Sequence, residues 1–148
     1  NKLVAKIKKE YSETSIAERN IHDSIAERIL SLYAGSEVNF DYSLLNWSKL
    51  TKFSAKVLKQ TGQIPRGKVA TYSGLAVKIG SPQAARAVGT ALANNPFPLI
   101  IPCHRVVRTD GSLGGFGGGI KMKKELLARE GVVSDEKDRV AGKYFSSG

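Results

Sequence analysis

The chain reads as an α+β protein, mostly helical, in which a helix-turn-helix (winged-helix-like) domain follows a small, reduced α/β N-terminal part. Three observations predict this class. Apolar residues recur at three- and four-residue spacing in several separate stretches, each ended by a glycine or by an Asn-Asn-Pro break. The extended pieces between them are short. At 148 residues, 41% apolar and 24% charged, the chain has enough apolar residues for one ordinary core with a small companion, which excludes a disordered chain.

Taken in order, Leu3, Ala5 and Ile7 alternate with mainly charged neighbours, as in a short half-buried strand. Ile21, Ile25, Ile29 and Leu32 form the stripe of an amphipathic helix stopped by Gly35. "SEVNFDYSLLNW" is a connector. Ser48 then caps a helix that turns Leu50, Phe53, Val57 and Leu58 inward and ends at Gly62. A Pro-Arg-Gly turn leads through a short extended piece into "SGLAVKI", a two-turn helix with Leu75 and Ile79 on one side, stopped at Gly80. Ser81 and Pro82 open the next helix as cap and first-turn residue, since proline's missing N–H costs nothing there. That helix buries Ala85, Val88 and Leu92, and the pair around the Gly-Ser turn makes a helix-turn-helix candidate. Leu99, Ile100 and Ile101 form a short buried extended run; six glycines between Gly111 and Gly119 mark a loop; a last helix turns Met122 and Leu126 inward and ends at Gly131. The expected division is 1–47 for the N-terminal part, 48–133 for the main domain and 134–148, which lacks periodicity, for a flexible tail.

Lys and Arg outnumber Asp and Glu 23 to 13, a net charge of +10 that favours a polyanionic partner. No apolar run approaches the ~18 residues of a membrane span, no signal-peptide pattern opens the chain, and no basic helix carries an aromatic face for a membrane surface. Nucleic acid is the better partner, and a basic surface that only keeps the protein soluble is the plain alternative. One cysteine excludes an internal disulfide framework and a Cys-rich zinc site, and points to a reducing, intracellular setting. The glycine loop lacks both the Lys-Ser/Thr ending of a P-loop and the dinucleotide fingerprint.

The chemistry concentrates in "NPFPLIIPCHRVV". A thiol becomes a nucleophile when a base or a positive charge stabilises its thiolate, and Cys103 is followed by His104 and Arg105. In an extended backbone neighbouring side chains point apart, so His104 would reach Cys103 only through a water or a turn. Glu130 sits at the C-terminal end of its helix, where the macrodipole disfavours a carboxylate by roughly 0.3–1 kcal/mol. A histidine N–H would compensate, giving a Cys103–water–His104–Glu130 relay; pairing of Glu130 with Arg129 or a lysine is the alternative. A protease would need a remote histidine, and the other one is His22. On the second helix of the pair, Arg86, Gly89, Thr90 and Ala93 share an outer face. An interior helical glycine costs about 0.8–1 kcal/mol relative to alanine, so small residues there suit close approach of another molecule, or of a neighbouring helix.

"IPRGKVATYSGLAVKIGSPQAARAVGTALANNPFPLIIPCHRVV", continued by "GGFGGGIKMKKELLAREG", resembles the C-terminal domain of the O6-alkylguanine-DNA alkyltransferases, from about Phe53 to Gly131. The resemblance implies direct-reversal DNA repair: single-turnover transfer of the alkyl group of O6-alkylguanine in double-stranded DNA to Cys103, with O4-alkylthymine a further candidate substrate. It implies catalytic roles for His104 and Glu130, and for Asn95 in the turn beside the thiol. It places the helix from Pro82 to Ala93 in the minor groove, with Ala85, Gly89, Thr90, Ala93 and Arg105 at the DNA. Arg86 would fill the stack, and Tyr72 would press the target phosphate and help rotate the nucleotide out. Leu92, Val106, Phe116, Gly117 and Gly118 would line the base pocket. It implies a monomer with no cofactor and no metal, acting in the cytoplasm or nucleoid, or in a nucleus. Phe116 departs from the pattern, since many relatives carry a tyrosine there, so leaving-group protonation would fall to Tyr72 or a backbone N–H. The rival readings are a non-catalytic alkyltransferase-like lesion binder, which would lack the acceptor thiol, and a helix-turn-helix regulator, which leaves the Pro-Cys-His-Arg stretch unexplained.

Overall fold

The computed structural model describes residues 27–146. The strand expected at Leu3–Ile7, Ile21 and Ile25 of the first helical stripe, and His22 lie outside the described residues. Helix α1 (27–33) ends before Gly35, whose φ of +98° takes the left-handed conformation that suits glycine, and its Ile29 is fully buried.

Helix α2 (Lys52–Thr61) is capped by Thr51, whose hydroxyl accepts the Ser54 N–H at 3.1 Å. Ser48, the expected cap, is held instead by Asn46 Oδ1, which accepts its amide at 3.1 Å and its hydroxyl at 2.6 Å. This side-chain-to-backbone turn competes with helix formation and delays it. Strand β1 (Ala70–Thr71) runs directly into helix α3 (Tyr72–Lys78), capped by Thr71 through the Gly74 N–H at 2.8 Å. Helix α4 (Ala85–Ala93) follows, and the expected opening at Ser81-Pro82 is corrected: the Ala84 N–H bonds Ser81 O at 2.9 Å in a separate turn, and Ala84 stands at the N-cap without a side-chain cap.

One apolar cluster joins Ile29, Val57 and Leu58 of α2, Leu75 and Ala76 of α3, Val88 and Leu92 of α4, and Leu126 of helix α5 (Ile120–Arg129). Each such aliphatic side chain, fully buried, contributes roughly 1.5–3 kcal/mol, so this cluster holds the helix-turn-helix pair against α2 and α5. Leu99, Ile100 and Ile101 are buried in it too, but not as an extended run. They form a tight turn in which the Ile101 N–H bonds Phe97 O at 2.9 Å and Leu99 takes a φ of +70°. Strand β2 (Val106–Val107) pairs in parallel with β1, Ala70 opposite Val106 and Thr71 opposite Val107.

Residues 134–146 are not the loose tail expected of them. Val140 is buried with Val69, Val107, Leu113, Leu127 and Val132. Val69 donates to Tyr144 O at 2.9 Å and accepts from the Ser146 N–H at 2.8 Å, so the segment lies along the edge of β1. Its apolar residues are too few to show a period, yet each backbone group it pairs and each side chain it buries holds it down. Among the described residues no helix is long and apolar enough to cross a membrane.

Candidate active site

Cys103 opens a 3-10 turn, Cys103–Arg105, closed by the Arg105 N–H on Pro102 O at 2.9 Å. The backbone turns where an extended run was expected, and this sends successive side chains to different places. Cys103 lies at the wall of a cavity of about 660 Å³. His104, 3% exposed, points inward. Its Nε2 lies 2.9 Å from Glu130 Oε1, while Nδ1 is buried without a hydrogen-bond partner among the described residues.

Arg105 corrects an expectation. Instead of reaching DNA, its Nε donates to Glu130 Oε2 and its Nη2 to Oε1, both at 2.8 Å, and Nη1 donates to Ile64 O at 2.8 Å. A bidentate fork on a carboxylate that also holds a histidine is a rigid arrangement. Glu130 is the C-cap of α5, so the pair of donors offsets the helix-end penalty, and Arg105 takes the place in which Arg129 or a lysine was the alternative. Burial by itself would raise the Glu130 carboxyl, but the hydrogen bonds and charges of His104 and Arg105 outweigh it and hold it at about 2. Burial also pushes His104 below its ordinary value, against the pull of Glu130. The imidazole is therefore neutral at neutral pH. With an ionised acceptor at Nε2, the proton sits on Nε2 and the Nδ1 lone pair is left as a base.

Burial pushes the Cys103 thiol up; a hydrogen bond from Asn95, the charge of Lys123 and the backbone N–H groups of Cys103 and His104 pull the other way. Asn95 is fixed by the turn it builds: its Oδ1 accepts the Phe97 N–H at 2.8 Å and its Nδ2 donates to Ile101 O at 3.2 Å. Lys123 went unnoticed in the sequence because lysines are nearly always exposed. It is 0% exposed, and its Nζ donates to Val106 O at 2.6 Å, to Leu113 O, and to Gly115 O at 3.4 Å. Burial brings it down to about 8. Its place three and four residues before the buried Leu126 and Leu127 was the available signal.

The cavity's walls come from α4, which supplies Ala85, Arg86, Gly89, Leu92 and Ala93, and from the glycine loop, which supplies Gly115, Phe116 and Gly117; Tyr72 and Arg108 complete it. Gly115 and Arg108 were not among the expected site residues. Burial raises the Tyr72 phenol, which stays protonated. A Cβ on Gly89 would stand 3.9 Å from the Tyr72 ring, an ordinary contact, so packing within the chain does not demand a glycine there. Thr90 is exposed on the same helix with its hydroxyl bonded back to Arg86 O at 3.2 Å. Two expected wall residues are elsewhere: Val106 is fully buried in β2, and Gly118 packs against Met122 Sδ, outside the cavity lining.

The family described as 6-O-methylguanine DNA methyltransferase, DNA binding domain, matches residues 52–132. The chain belongs to this family. It is 44% identical over 124 residues to the methylated-DNA–protein-cysteine methyltransferase of Methanothermobacter thermautotrophicus, a match covering 84% of this chain and 69% of that protein. Among solved methyltransferase-family structures, Mycobacterium tuberculosis OGT in complex with DNA superposes with a TM-score of 0.67 at 39% identity, covering 74% of this chain and 66% of that one. Schizosaccharomyces pombe Atl1, in complex with damaged DNA containing O6-carboxymethylguanine, gives a TM-score of 0.58 at 29% identity over 68% of this chain and 99% of that one. The chain thus spans about two thirds of the length of the first two. The expected α+β class with its helix-turn-helix domain agrees with these methyltransferase neighbours.

Proposed function

We propose that this chain repairs alkylated DNA by direct reversal, moving the alkyl group of O6-alkylguanine to Cys103 in a single turnover. The observation that carries the reading is the placement of the one thiol at a cavity wall with a neutral imidazole, oriented by an ionised carboxylate, behind it. Duplex DNA lies against α4, whose Gly89 and Ala93 let the minor groove come close, and Arg86 enters the stack in place of the everted base. An alkylated base pairs poorly, which lowers the cost of extruding it.

Through a water, His104 Nδ1 takes the Cys103 proton while Nε2–H stays on Glu130. The thiolate attacks the alkyl carbon; the C–S bond forms as the bond from that carbon to O6 breaks. The leaving guanine takes a proton, and Tyr72, kept neutral by burial, is the donor on the wall; a backbone N–H can only hydrogen-bond there, and Phe116 has no hydroxyl to offer. The protein has no route back from the thioether, so each molecule acts once, as a monomer. Besides that water, these steps use side chains of this chain. Atl1 resembles the domain's shape, but Cys103 supplies the acceptor that a lesion binder would not need.

Intact mass after mixing with an O6-methylguanine duplex tests the reading: the protein gains one methyl, mapped to Cys103, and Cys103→Ala gains none while still binding. Transfer surviving in that variant would overturn the assignment.

A further inference from the structure

Arg108 is the cavity residue that the transfer chemistry leaves without a task. It follows β2 directly, its backbone N–H bonded to Ser112 O at 2.9 Å, and it lines the same cavity as Cys103. The side chain is exposed and makes no hydrogen bond or ion pair among the described residues; the ion pairs there are His104–Glu130, Arg105–Glu130 and Lys124–Asp138. The nearest acid in the chain, Asp110, spends its Oδ1 on the Ser112 amide at 2.9 Å and hydroxyl at 2.6 Å. Arg108 is close enough for its charge to act on the Tyr72 phenol and on Lys123 beneath the cavity. Lys123 cannot serve an incoming anion, because three carbonyls occupy its ammonium.

The orientation of the substrate decides what meets this guanidinium. An O6-alkyl group can reach the sulfur only if the base enters edge first, which leaves its sugar and flanking phosphates at the mouth. Arg86 and Arg108 line the cavity from separate elements, α4 and the loop after β2. Arg86 lies on α4, the helix that the repair reading sets against the duplex; Arg108 lies off that helix, on the loop after β2. We propose that Arg108 binds a phosphate flanking the lesion, by a charge-assisted hydrogen bond that holds the nucleotide out of the helix. The inference rests on the repair reading above.

Single-turnover transfer from an O6-methylguanine duplex, with the 5′ or the 3′ lesion phosphate replaced in turn by a neutral methylphosphonate, tests it. Arg108→Ala slows transfer from the native duplex about 10- to 100-fold, the effect of losing a hydrogen bond to a charged group. One of the two methylphosphonates slows the native protein similarly and adds nothing to R108A. Arg108→Lys keeps most of the rate, which a defect of folding would not allow. Wild-type rates in R108A, or losses that multiply at both phosphates, would overturn the proposal. In a Cys103→Ala background, Arg108→Ala also lowers the slope of log affinity against log salt by about 0.9, and an unchanged slope counts against it. Absence of methyl transfer by the native protein would sink the repair reading instead, and the binding slope would still judge Arg108.

Discussion

Arg86 lines the cavity at whose wall Cys103 stands, whereas Arg105, two residues after Cys103, is bonded to Glu130, and the surroundings of the two arginines differ. Behind Cys103, Arg105 is largely buried and uses its fork on Glu130 and Ile64 O, while Lys123 is wholly buried among carbonyls. In front, Arg86 is exposed and lines the cavity with Ala85, Gly89 and Ala93, with no carboxylate paired to it among the described residues. The rear is a polar network in which, among the described residues, His104 Nδ1 is left without a hydrogen-bond partner. The front is small, basic and incomplete. A protein that must position a base and receive a polyanion separates the two tasks in this way: rigidity behind the nucleophile, vacant charge before it.

Breaking the rear should cost most. Glu130→Ala leaves Arg105 and His104 buried without their acceptor, and removal of one partner from a buried pair costs about 3–5 kcal/mol. Arg86→Ala, by contrast, should change stability by no more than about 0.5 kcal/mol, as for other exposed unpaired side chains. Urea unfolding of the two variants measures the contrast; equal losses would erase it.

Acid probes the same network. The folded state keeps His104 neutral below the 6.5 at which an unfolded histidine takes up a proton, so stability falls as pH drops past that value. Glu130 stays ionised in the folded state down to about 2, against an ordinary 4.5, so its stabilisation is complete above 4.5 and is lost as pH falls through about 2. That second loss is worth about 3 kcal/mol, and thermal melts between pH 7 and pH 2 should show it in the native protein but not in Glu130→Gln.

The smallest effect on stability comes from the front. Gly89→Ala has room beside the Tyr72 ring and removes a helical glycine, so it should stabilise by up to about 1 kcal/mol. If α4 lies in the minor groove as proposed, it should nevertheless slow methyl transfer from duplex DNA, because the added methyl would stand on the face proposed to meet the groove. A variant both less stable and fully active would reverse the comparison.

The sequence made the helix-turn-helix pair and the Cys103 stretch legible through local signals, period and tetrapeptide, but for Glu130 it left His104 and Arg129 or a lysine open as partners until the fold brought His104 and Arg105 to it. It misread the cap at Ser48, the opening at Ser81-Pro82 and the run at Leu99–Ile101, where neighbouring polar groups and prolines competed for the same backbone bonds. Tertiary structure alone decided the rest. It turned the chain at Cys103–Arg105, sending Arg105 inward to Glu130; buried Lys123 beneath the cavity; and drew 134–146 along β1. These depend on partners distant in the chain, and a charge is buried only where such partners satisfy it.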